Sequence, residues 1–510
     1  MSRNIPPLDL LWLLVESQDA PMHVGAVLVF ERAPRGRADL VAEIVRSYRA
    51  APPRPPFTHV PELLNVGMPH WRTVREVDLE HHVQHLVLPP AATETTFVRL
   101  IEDLDEPMLD RNRPGFRVWL IEGLPDNRFA MYLKAHHSLI DGMSALARVA
   151  ASLATSPRAR LRPPFFAVDV DGPSARRSKG WAEQLARFNT ATWQQTAAIK
   201  DVSTSLVMTT IRRLLANAAG GNQPFTAPHL PMNEPIRTAR SLALLTLPLA
   251  EMRAAGHAFG GTVNDVAATV VDAGLHRYLA AIGRKSTAPL VAMCPVSLRD
   301  ADDKAAETKV SAIFVPLGAP DAPIAQRMEQ VIASMNAGKD EIRAMSKDAA
   351  MLYGISVMGL GAVAEAAHVG RMTGHLANFV LSNVPGPREE HYLGGARVAA
   401  VHPISALGAA IGLNVTLASY AGSVGFGFVA NGQALPDLTD LARYTSEAFA
   451  DLQAAATRRA KRKVSVDQAR VDHLARPDAA AARIVTRTTT APSGPGSADP
   501  APGPPRSTHR

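Results

Sequence analysis

The sequence has very little cysteine and no long apolar segment, and both features limit what the protein can be. Cys294 is the only cysteine among 510 residues, so no intrachain disulfide can form and a reducing compartment is the simplest interpretation. It precedes Pro295 in an apolar run, which predicts a buried side chain rather than a nucleophile. No stretch reaches the roughly 18 uncharged apolar residues of a membrane-spanning helix. Met1–Asp9 also lack the apolar core of a signal peptide. We therefore expect a protein that does not cross a membrane.

An excess of charge is also missing from most of the chain. The 54 Lys and Arg and the 47 Asp and Glu give a net charge of +7, but residues 458–510 contain 11 basic and 4 acidic residues. Residues 1–457 therefore carry 43 of each and are neutral. The basic, proline-rich end cannot bury enough apolar surface to offset the entropy lost on ordering, which predicts a disordered tail. Its basic cluster either contacts anionic lipid head groups or is a solvated segment without catalytic consequence.

Apolar periodicity predicts an α/β protein with two domains. We place an N-terminal domain at 1–157, a crossover with a helix at 158–235, a C-terminal domain at 236–457 and the tail at 458–510. The predicted strands are Gly25–Glu31, Arg117–Glu122, Arg128–Ala135, Ser241–Leu247, Leu290–Val296, Val310–Leu317, Ala377–Ser382, Gly412–Ser419 and Ser423–Val429. The predicted helices are Asp39–Tyr48, Glu94–Asp105, Gly142–Ala154, Trp181–Ala218, Leu249–His257, Asn264–Ile282, Ala325–Ala344 and Leu438–Ala455.

Two adjacent histidines, His136 and His137, follow the predicted strand that ends at Ala135. Because side chains alternate along a strand, one histidine can face a cavity while the other packs in the frame. Asp141 and Gly142 then turn the chain into a helix. A histidine can take a proton from a hydroxyl and return one to a leaving group near neutral pH. A bare histidine pair is more often structural, but the added Asp-Gly after a strand favours a general base at one of the two histidines.

Other chemistries are not indicated. The histidine pair has no spaced His or Glu partner in a metal-binding pattern, so no metal site is expected. No glycine-rich loop that would cradle a phosphate is present, which argues against a nucleotide hydrolase.

The segment from His136 to Gly142 resembles the His-His-x-x-x-Asp-Gly signature of the CoA-dependent acyltransferase superfamily, which includes chloramphenicol acetyltransferase and non-ribosomal peptide condensation domains. Further segments are similar to the bacterial wax ester synthase/diacylglycerol acyltransferases over about residues 5 to 455. These segments are Pro7-Leu8-Asp9, Pro21-Met22-His23-Val24-Gly25, Leu109-Asp110-Arg111, Leu120 to Leu124, Thr262 to Val266, Pro295 to Arg299, Ser382 to Pro387 and Leu413 to Thr416. The resemblance implies two chloramphenicol-acetyltransferase-like domains with the active site in a channel between them.

The same resemblance implies an O-acyltransferase that moves a long-chain acyl group from acyl-CoA to diacylglycerol, giving triacylglycerol, or to a fatty alcohol, giving wax ester. His137 takes the hydroxyl proton, no acyl-enzyme forms, and the CoA thiolate leaves. Acyl-CoA is a substrate, so no cofactor is expected, and neither is a nucleic acid partner. We expect a cytoplasmic protein that associates peripherally with the inner face of the membrane or with lipid bodies.

Supporting roles also follow from the resemblance. Asp141 holds the loop by pairing with a distant arginine, for which Arg299 is the best candidate. The alternative for Arg299 is a surface arginine after a strand. Asn264 either orients His137 or an intermediate, or caps a helix. Ser382 and Asn383 either donate to the oxyanion or mark a strand-to-turn transition. His23 and His82 are interpreted as structural.

Three segments depart from the family pattern. Pro114-Gly115-Phe116 stands where many members have Pro-Leu-Trp, Glu307-Thr308 replaces a Gly-Asn pair, and the segment before Leu413 is altered. The lost apolar volume at Gly115 and Phe116 predicts a reshaped acyl or acceptor channel. The identity of the acyl acceptor therefore stays undecided. The alternatives are an enzyme that acts on a glycolipid or polyketide alcohol, and a lipid-binding paralogue with weak catalysis.

Overall fold

The computed structural model describes residues 3–33, 37–63, 68–168, 226–297, 310–345, 375–408 and 411–474. Arg299, the Glu307-Thr308 pair and the helix predicted at Trp181–Ala218 lie outside these residues. Residues 1–457 form one compact unit and residues 458–510 form a second.

The described chain alternates strands and helices, which confirms the predicted α/β class. The strands are β1 (Arg3–Asn4), β2 (His23–Glu31), β3 (His59–Glu62), β4 (His70–Thr73), β5 (Val83–Val87), β6 (Phe116–Leu124), β7 (Arg128–His136), β8 (Arg240–Pro248), β9 (Val291–Ser297), β10 (Val310–Pro316), β11 (Phe379–Pro385), β12 (Tyr392–Leu393), β13 (Ala396–Ile404), β14 (Leu413–Tyr420) and β15 (Ser423–Asn431). The helices are α1 (Pro7–Val15), α2 (Leu40–Arg49), α3 (Leu79–His82), α4 (Glu94–Asp105), α5 (Gly142–Ser152), α6 (Leu249–Phe259), α7 (Val263–Ala281), α8 (Ile324–Ala344) and α9 (Leu438–Leu474).

The first large sheet has the order β12-β13-β2-β7-β6-β5 and is covered on both faces. Along β7, Met131 and Leu133 point into a cluster with residues of α2 and α5. Ala130 and Tyr132 point to the other face, where residues of α4 pack. Because both faces are buried, the strand is apolar almost throughout, which is why the sequence predicts it well.

Two strands of this sheet come from the second half of the chain. β13 pairs antiparallel with β2, with Val401 opposite Leu28, and β12 pairs with β13. The sequence did not predict β13, because a register shift between Val398 and Ala400 breaks the two-residue period that identifies a strand. The sheet that carries the histidine pair is thus built from both of the domains that the sequence predicts.

The second large sheet has the order β10-β9-β11-β14-β15-β8. Here β11 lies parallel to both of its neighbours, β9 and β14, whereas the other pairs are antiparallel. Cys294 lies in its buried core, as predicted, and burial raises the pKa of the thiol to about 12. An unreactive neutral thiol follows from this position.

The N-terminal segment forms structure that the sequence analysis did not predict. α1 begins at Pro7, a residue that suits the first turn of a helix because its missing N–H has no partner there. One face of α1 buries Leu13 beside Leu139, whereas Leu11 and Leu14 are exposed by 47% and 66%. None of the helices in the described part of the chain has the length and apolar character needed to cross a membrane.

The last helix is longer than predicted. The sequence predicts its end at Ala455, but α9 continues to Leu474. The prediction of disorder is therefore wrong for residues 458–474, where Arg, Lys and Gln are good helix formers. The remainder of the predicted tail lies outside the described residues.

Candidate active site

The backbone of the histidine pair is held by the segments on both sides of β7. The N–H of His136 donates to the carbonyl of Gly115 at 2.8 Å, and the N–H of His137 donates to the carbonyl of Met22 at 2.9 Å. A further bond of 2.9 Å from the N–H of Leu139 to the carbonyl of His136 closes the turn. The strand end is therefore rigid, which suits a group that must hold a proton acceptor in place.

The two histidine rings occupy different surroundings. His136 is buried, and its Nδ1 lies 2.6 Å from Oγ of Ser138. His137 is only half-buried, and its ring stacks on the indole of Trp12 with a centroid distance of 4.3 Å. His137 is thus the member of the pair that a substrate can reach.

A buried carboxylate stands behind the pair. Glu16, which follows α1, has a fully buried side chain, and its Oε1 lies 3.4 Å from Nε2 of His136. Its Oε2 accepts a hydrogen bond from Nε of Arg111 at 3.1 Å. Burial would raise the pKa of Glu16, but His136, the N–H of Met22 and Arg111 lower it below its usual value. The carboxylate is therefore ionised at neutral pH.

Asp141 and Gly142 begin α5. Asp141 is the N-cap, and its Oδ1 accepts the N–H of Ser144 at 2.8 Å. This bond stabilises the helix start directly after the histidine turn. The implied partner Arg299 lies outside the described residues, so the predicted ion pair stays a prediction. Gly142 is exposed, and a Cβ added there would approach only Cγ2 of Val384, at 3.9 Å.

The predicted supporting residues Asn264 and Asn383 meet. Nδ2 of Asn383 donates to Oδ1 of Asn264 at 2.6 Å, and both side chains are exposed. The helix-cap alternative for Asn264 is wrong, because Thr262 caps α7 and forms a capping box with Asp265. The strand-to-turn alternative for Ser382 and Asn383 is also wrong, because both lie within β11. Since the next residue, Val384, is the neighbour of Gly142, β11 connects the asparagine pair to the start of α5.

His23 forms the centre of a second buried polar cluster. Its Nε2 donates to Oδ1 of Asp105 at 3.0 Å, and the Tyr132 hydroxyl donates to the same oxygen at 2.6 Å. Burial would raise the pKa of Asp105, but His23, Lys134 and Tyr132 hold it at about 2. Burial also lowers the pKa of Lys134, to about 8. These contacts agree with a structural interpretation of His23.

His82 is also a packed residue. Its Nδ1–H donates to the carbonyl of Phe116 at 2.7 Å, and its ring stacks on that of Phe116 at 4.4 Å. Burial lowers the pKa of His82 to about 4. Phe116 itself is fully buried among Phe57, Phe165 and Phe166. The expectation that Phe116 reshapes an open channel is therefore wrong, because this ring packs in the core of the first sheet.

Gly115 lies directly against the histidine turn. A Cβ added to it would stand 3.1 Å from Cβ of His136 and 3.5 Å from Cδ1 of Leu139. Gly115 also lines a cavity of about 20 Å³ beside His136, large enough for one water. The departure from the family pattern at this position thus acts on the packing behind the histidines.

Two residues of this site, Trp12 and Glu16, were missed by sequence reasoning. Both belong to the N-terminal segment, and both meet the histidines only through the fold. A signal was available in the acidic Glu16 directly after the apolar run Leu10–Val15, because a glutamate that is buried with its apolar neighbours is almost always paired.

Among the described residues, no group of three or more His, Cys, Asp or Glu is arranged to hold a metal ion.

Comparisons with known proteins extend over both halves of the chain. The family model of the wax ester synthase/diacylglycerol acyltransferase catalytic domain matches residues 5–267, and the model of the WS/DGAT C-terminal domain matches residues 308–453. A putative diacylglycerol O-acyltransferase of Mycobacterium tuberculosis is 32% identical over 493 residues, covering 89% of this chain and 98% of the relative. A probable diacylglycerol O-acyltransferase of the same species is 32% identical over 461 residues, covering 88% and 96%.

Solved structures agree with this assignment. The wax ester synthase/diacylglycerol acyltransferase from Marinobacter aquaeolei superposes with a TM-score of 0.72 at 27% identity, covering 89% of this chain and 99% of that one. The first condensation domain of the calcium-dependent antibiotic synthetase gives a TM-score of 0.53 at 17% identity, covering 89% and 96%, a likeness of fold alone. Both confirm the predicted fold class. The chain is an acyltransferase and belongs to the wax ester synthase/diacylglycerol acyltransferase family.

Proposed function

We propose that the protein transfers a long-chain acyl group from acyl-CoA to the free hydroxyl of diacylglycerol, with His137 as the general base. The observation that carries the proposal is the position of His137. It directly follows β7, its backbone N–H is bound to the carbonyl of Met22, and its half-buried ring is stacked on Trp12. The names of the mycobacterial relatives, which are diacylglycerol O-acyltransferases, support diacylglycerol as the acceptor.

The chemistry needs one base that works in both directions. The imidazole of His137 takes the proton of the acceptor hydroxyl as its oxygen attacks the thioester carbon. The C–S bond then breaks, and the imidazolium returns the proton to the CoA thiolate. A thiol with a pKa near roughly 8.5 leaves readily, so no covalent acyl-enzyme is required.

Ser382 and Asn383 are proposed to face the oxyanion that forms during attack. Asn383 is the better donor, because its bond to Asn264 fixes the amide while a second N–H remains on the same nitrogen. Donors aimed at the developing charge contribute about 10²- to 10³-fold to such reactions. A long-chain alcohol is the second acceptor candidate, supported by the similarity to the Marinobacter wax ester synthase/diacylglycerol acyltransferase.

We also propose that the protein works at the surface of a membrane or lipid body. Diacylglycerol and triacylglycerol are confined to lipid, so the enzyme must contact it to reach them. The exposed Leu11, Leu14 and Val15 of α1 support this contact, because α1 also carries the Trp12 that stacks on His137. In α9, Arg458, Arg459, Lys461 and Arg462 offer exposed positive charges for anionic head groups.

The test is acyl transfer by the purified full chain, with long-chain acyl-CoA and diacylglycerol in phospholipid vesicles. Thiol release and triacylglycerol are both measured. We expect turnover that His137→Ala reduces by about 10²- to 10⁴-fold or more, whereas His257→Ala, at an exposed histidine of α6, keeps full activity. Replacing diacylglycerol with hexadecanol tests the second acceptor. A wild-type protein that binds acyl-CoA but releases no CoA with any alcohol would refute the enzymatic proposal.

A further inference from the structure

Glu16 connects the end of α1 to both histidines through one carboxylate oxygen. Oε1 accepts the N–H of Met22 at 2.9 Å and lies 3.4 Å from Nε2 of His136. The carbonyl of Met22 in turn accepts the N–H of His137 at 2.9 Å. Glu16 thus restrains the ring of His136 directly and the backbone of His137 through a single residue.

The other carboxylate oxygen is bound to Arg111, which also fixes the helix that precedes Glu16. Arg111 donates from Nε to Oε2 of Glu16 at 3.1 Å and from a terminal nitrogen to the carbonyl of Leu13 at 2.9 Å. A buried carboxylate is retained as an anion only when such donors surround it. Arg111 therefore neutralises the charge and holds the end of α1 in place.

The hydrogen bonds of Ser138 determine which tautomer His136 adopts. The backbone N–H of Ser138 donates to Nδ1 of His136 at 3.1 Å. Because a backbone N–H can only donate, Nδ1 carries a lone pair and the proton of the neutral ring lies on Nε2. Nε2 has no hydrogen-bond partner within the described residues, and Oε1 of Glu16, at 3.4 Å, is the carboxylate oxygen beside it.

We propose that Glu16 is a positioning residue, whose carboxylate fixes His136 and Met22 so that the neighbouring His137 ring is held towards the acceptor hydroxyl. The inference rests on the proposed role of His137 as general base. Its physical basis is that one carboxylate contacts the buried ring of His136 and accepts the N–H of Met22. Because the carbonyl of Met22 accepts the N–H of His137, these groups cannot shift independently. A displacement of about 1 Å at a reacting group can lower the rate by about 10²-fold.

The first test is Glu16→Gln, which keeps the shape of the side chain and an acceptor for Met22 but removes the charge. We expect kcat to fall by about 10- to 100-fold while KM for acyl-CoA changes less than about twofold. The matched control is Glu122→Gln, because Glu122 also lies between an arginine and a histidine, Arg32 and His85, in β6 of the same sheet. This control is expected to keep wild-type kcat.

A second variant and a double variant separate positioning from damage to the fold. Glu16→Asp retains the charge and should retain more activity than Glu16→Gln. If Glu16 acts through His136, combining Glu16→Gln with His136→Gln should lower kcat no further than the more damaging single change. Multiplied losses in the double variant, or a less active Glu16→Asp, would overturn the proposal.

A measurement without substrate separates this inference from the proposed reaction. Nitrogen-15 NMR of the full chain with labelled histidine, assigned by His136→Gln, should show Nε2 of His136 protonated in the wild type. Glu16→Gln should move that resonance, whereas Glu122→Gln should not. If the wild type shows no turnover, the proposed function fails while the spectra still decide whether Glu16 controls His136. Unchanged spectra and unchanged kcat in Glu16→Gln would refute the positioning role.

Discussion

The ring of His137 lies on the indole of Trp12, with centroids 4.3 Å apart and planes inclined by 23°. This stack makes α1 a part of the site rather than an extension in front of it. The indole covers one face of the imidazole. The two nitrogens lie at the edge of the imidazole ring, so the stack does not block their hydrogen bonding. The N-terminal helix therefore contributes to the orientation of the base, together with Glu16 at its end.

Loss of the Trp12 stack should weaken catalysis moderately. Trp12→Leu keeps apolar volume but removes the aromatic contact, which contributes about 0.5–1.5 kcal/mol in such pairs. If that energy orients the base, kcat should fall by about two- to tenfold. Trp12→Phe preserves a stacked ring and should restore most of the rate. Steady-state thiol release gives both values, and equal kcat for Trp12→Leu and the wild type would contradict the assignment.

The histidine turn should tolerate no large side chain at Gly115. Gly115→Leu introduces atoms where Cβ alone would lie 3.1 Å from Cβ of His136, so the turn must move. Overpacking of this kind typically costs about 1–3 kcal/mol. We expect a lower free energy of unfolding and a lower kcat, measured by denaturant titration and thiol release. Gly408→Ala is the control, because a Cβ there meets nothing within 4 Å. A Gly115→Leu protein that matches the wild type would show that the turn adapts.

The asparagine pair should act as one unit. Asn383→Ala removes the proposed oxyanion donor and should lower kcat by about 10²-fold. Asn264→Ala should cost less, because the amide of Asn383 remains but loses its 2.6 Å bond. The double variant should resemble Asn383→Ala, since the contribution of Asn264 depends on its partner. The order of the three variants is checked by measuring kcat at saturating acyl-CoA. A lower kcat for Asn264→Ala than for Asn383→Ala would exclude Asn383 as the principal donor.

Acid should destabilise the protein partly through His402. Burial lowers the pKa of His402 from 6.5 to about 4, while its Nδ1–H donates to the carbonyl of Phe426 at 3.1 Å. Between these two pKa values the unfolded chain binds a proton that the folded protein excludes, so stability falls as the pH decreases.

His402→Gln removes this titration and keeps a donor. The loss of unfolding free energy between pH 7 and pH 5 should therefore shrink by about 2 kcal/mol. Urea unfolding at pH 7 and pH 5 measures this difference in unfolding free energy. The control is His257→Gln, at an exposed histidine, which should leave the difference unchanged. An unchanged pH dependence in His402→Gln would show that this histidine does not contribute.

Sequence reasoning predicted the elements whose burial follows a simple period. β7 and α4 are apolar on the faces that pack, so their bounds lay within one residue of the observed ones. β13 was missed because its bulge interrupts the period. α1 was missed because nearly every one of its nine residues is apolar, which hides the helical repeat.

The site was predictable where the residue types alone carry chemistry. The histidine pair, Asp141 and Gly142 are contiguous, and their order after a strand indicates the turn. Glu16 and Arg111 lie 95 positions apart and meet through a tertiary contact that no local pattern contains. The same holds for the stacking of Trp12 on His137.

The pairing of β13 with β2 has a consequence for synthesis on the ribosome. β2 ends at Glu31, whereas its neighbour β13 ends at Ile404. At about 5–20 residues per second, the nascent chain carries an open strand edge at β2 for about 20 to 75 s before its partner emerges. Such edges recruit other strands and promote aggregation. The strand that leads into the histidine pair therefore belongs to a sheet that is completed late in translation, and during that interval β2 is exposed to pairing with other chains.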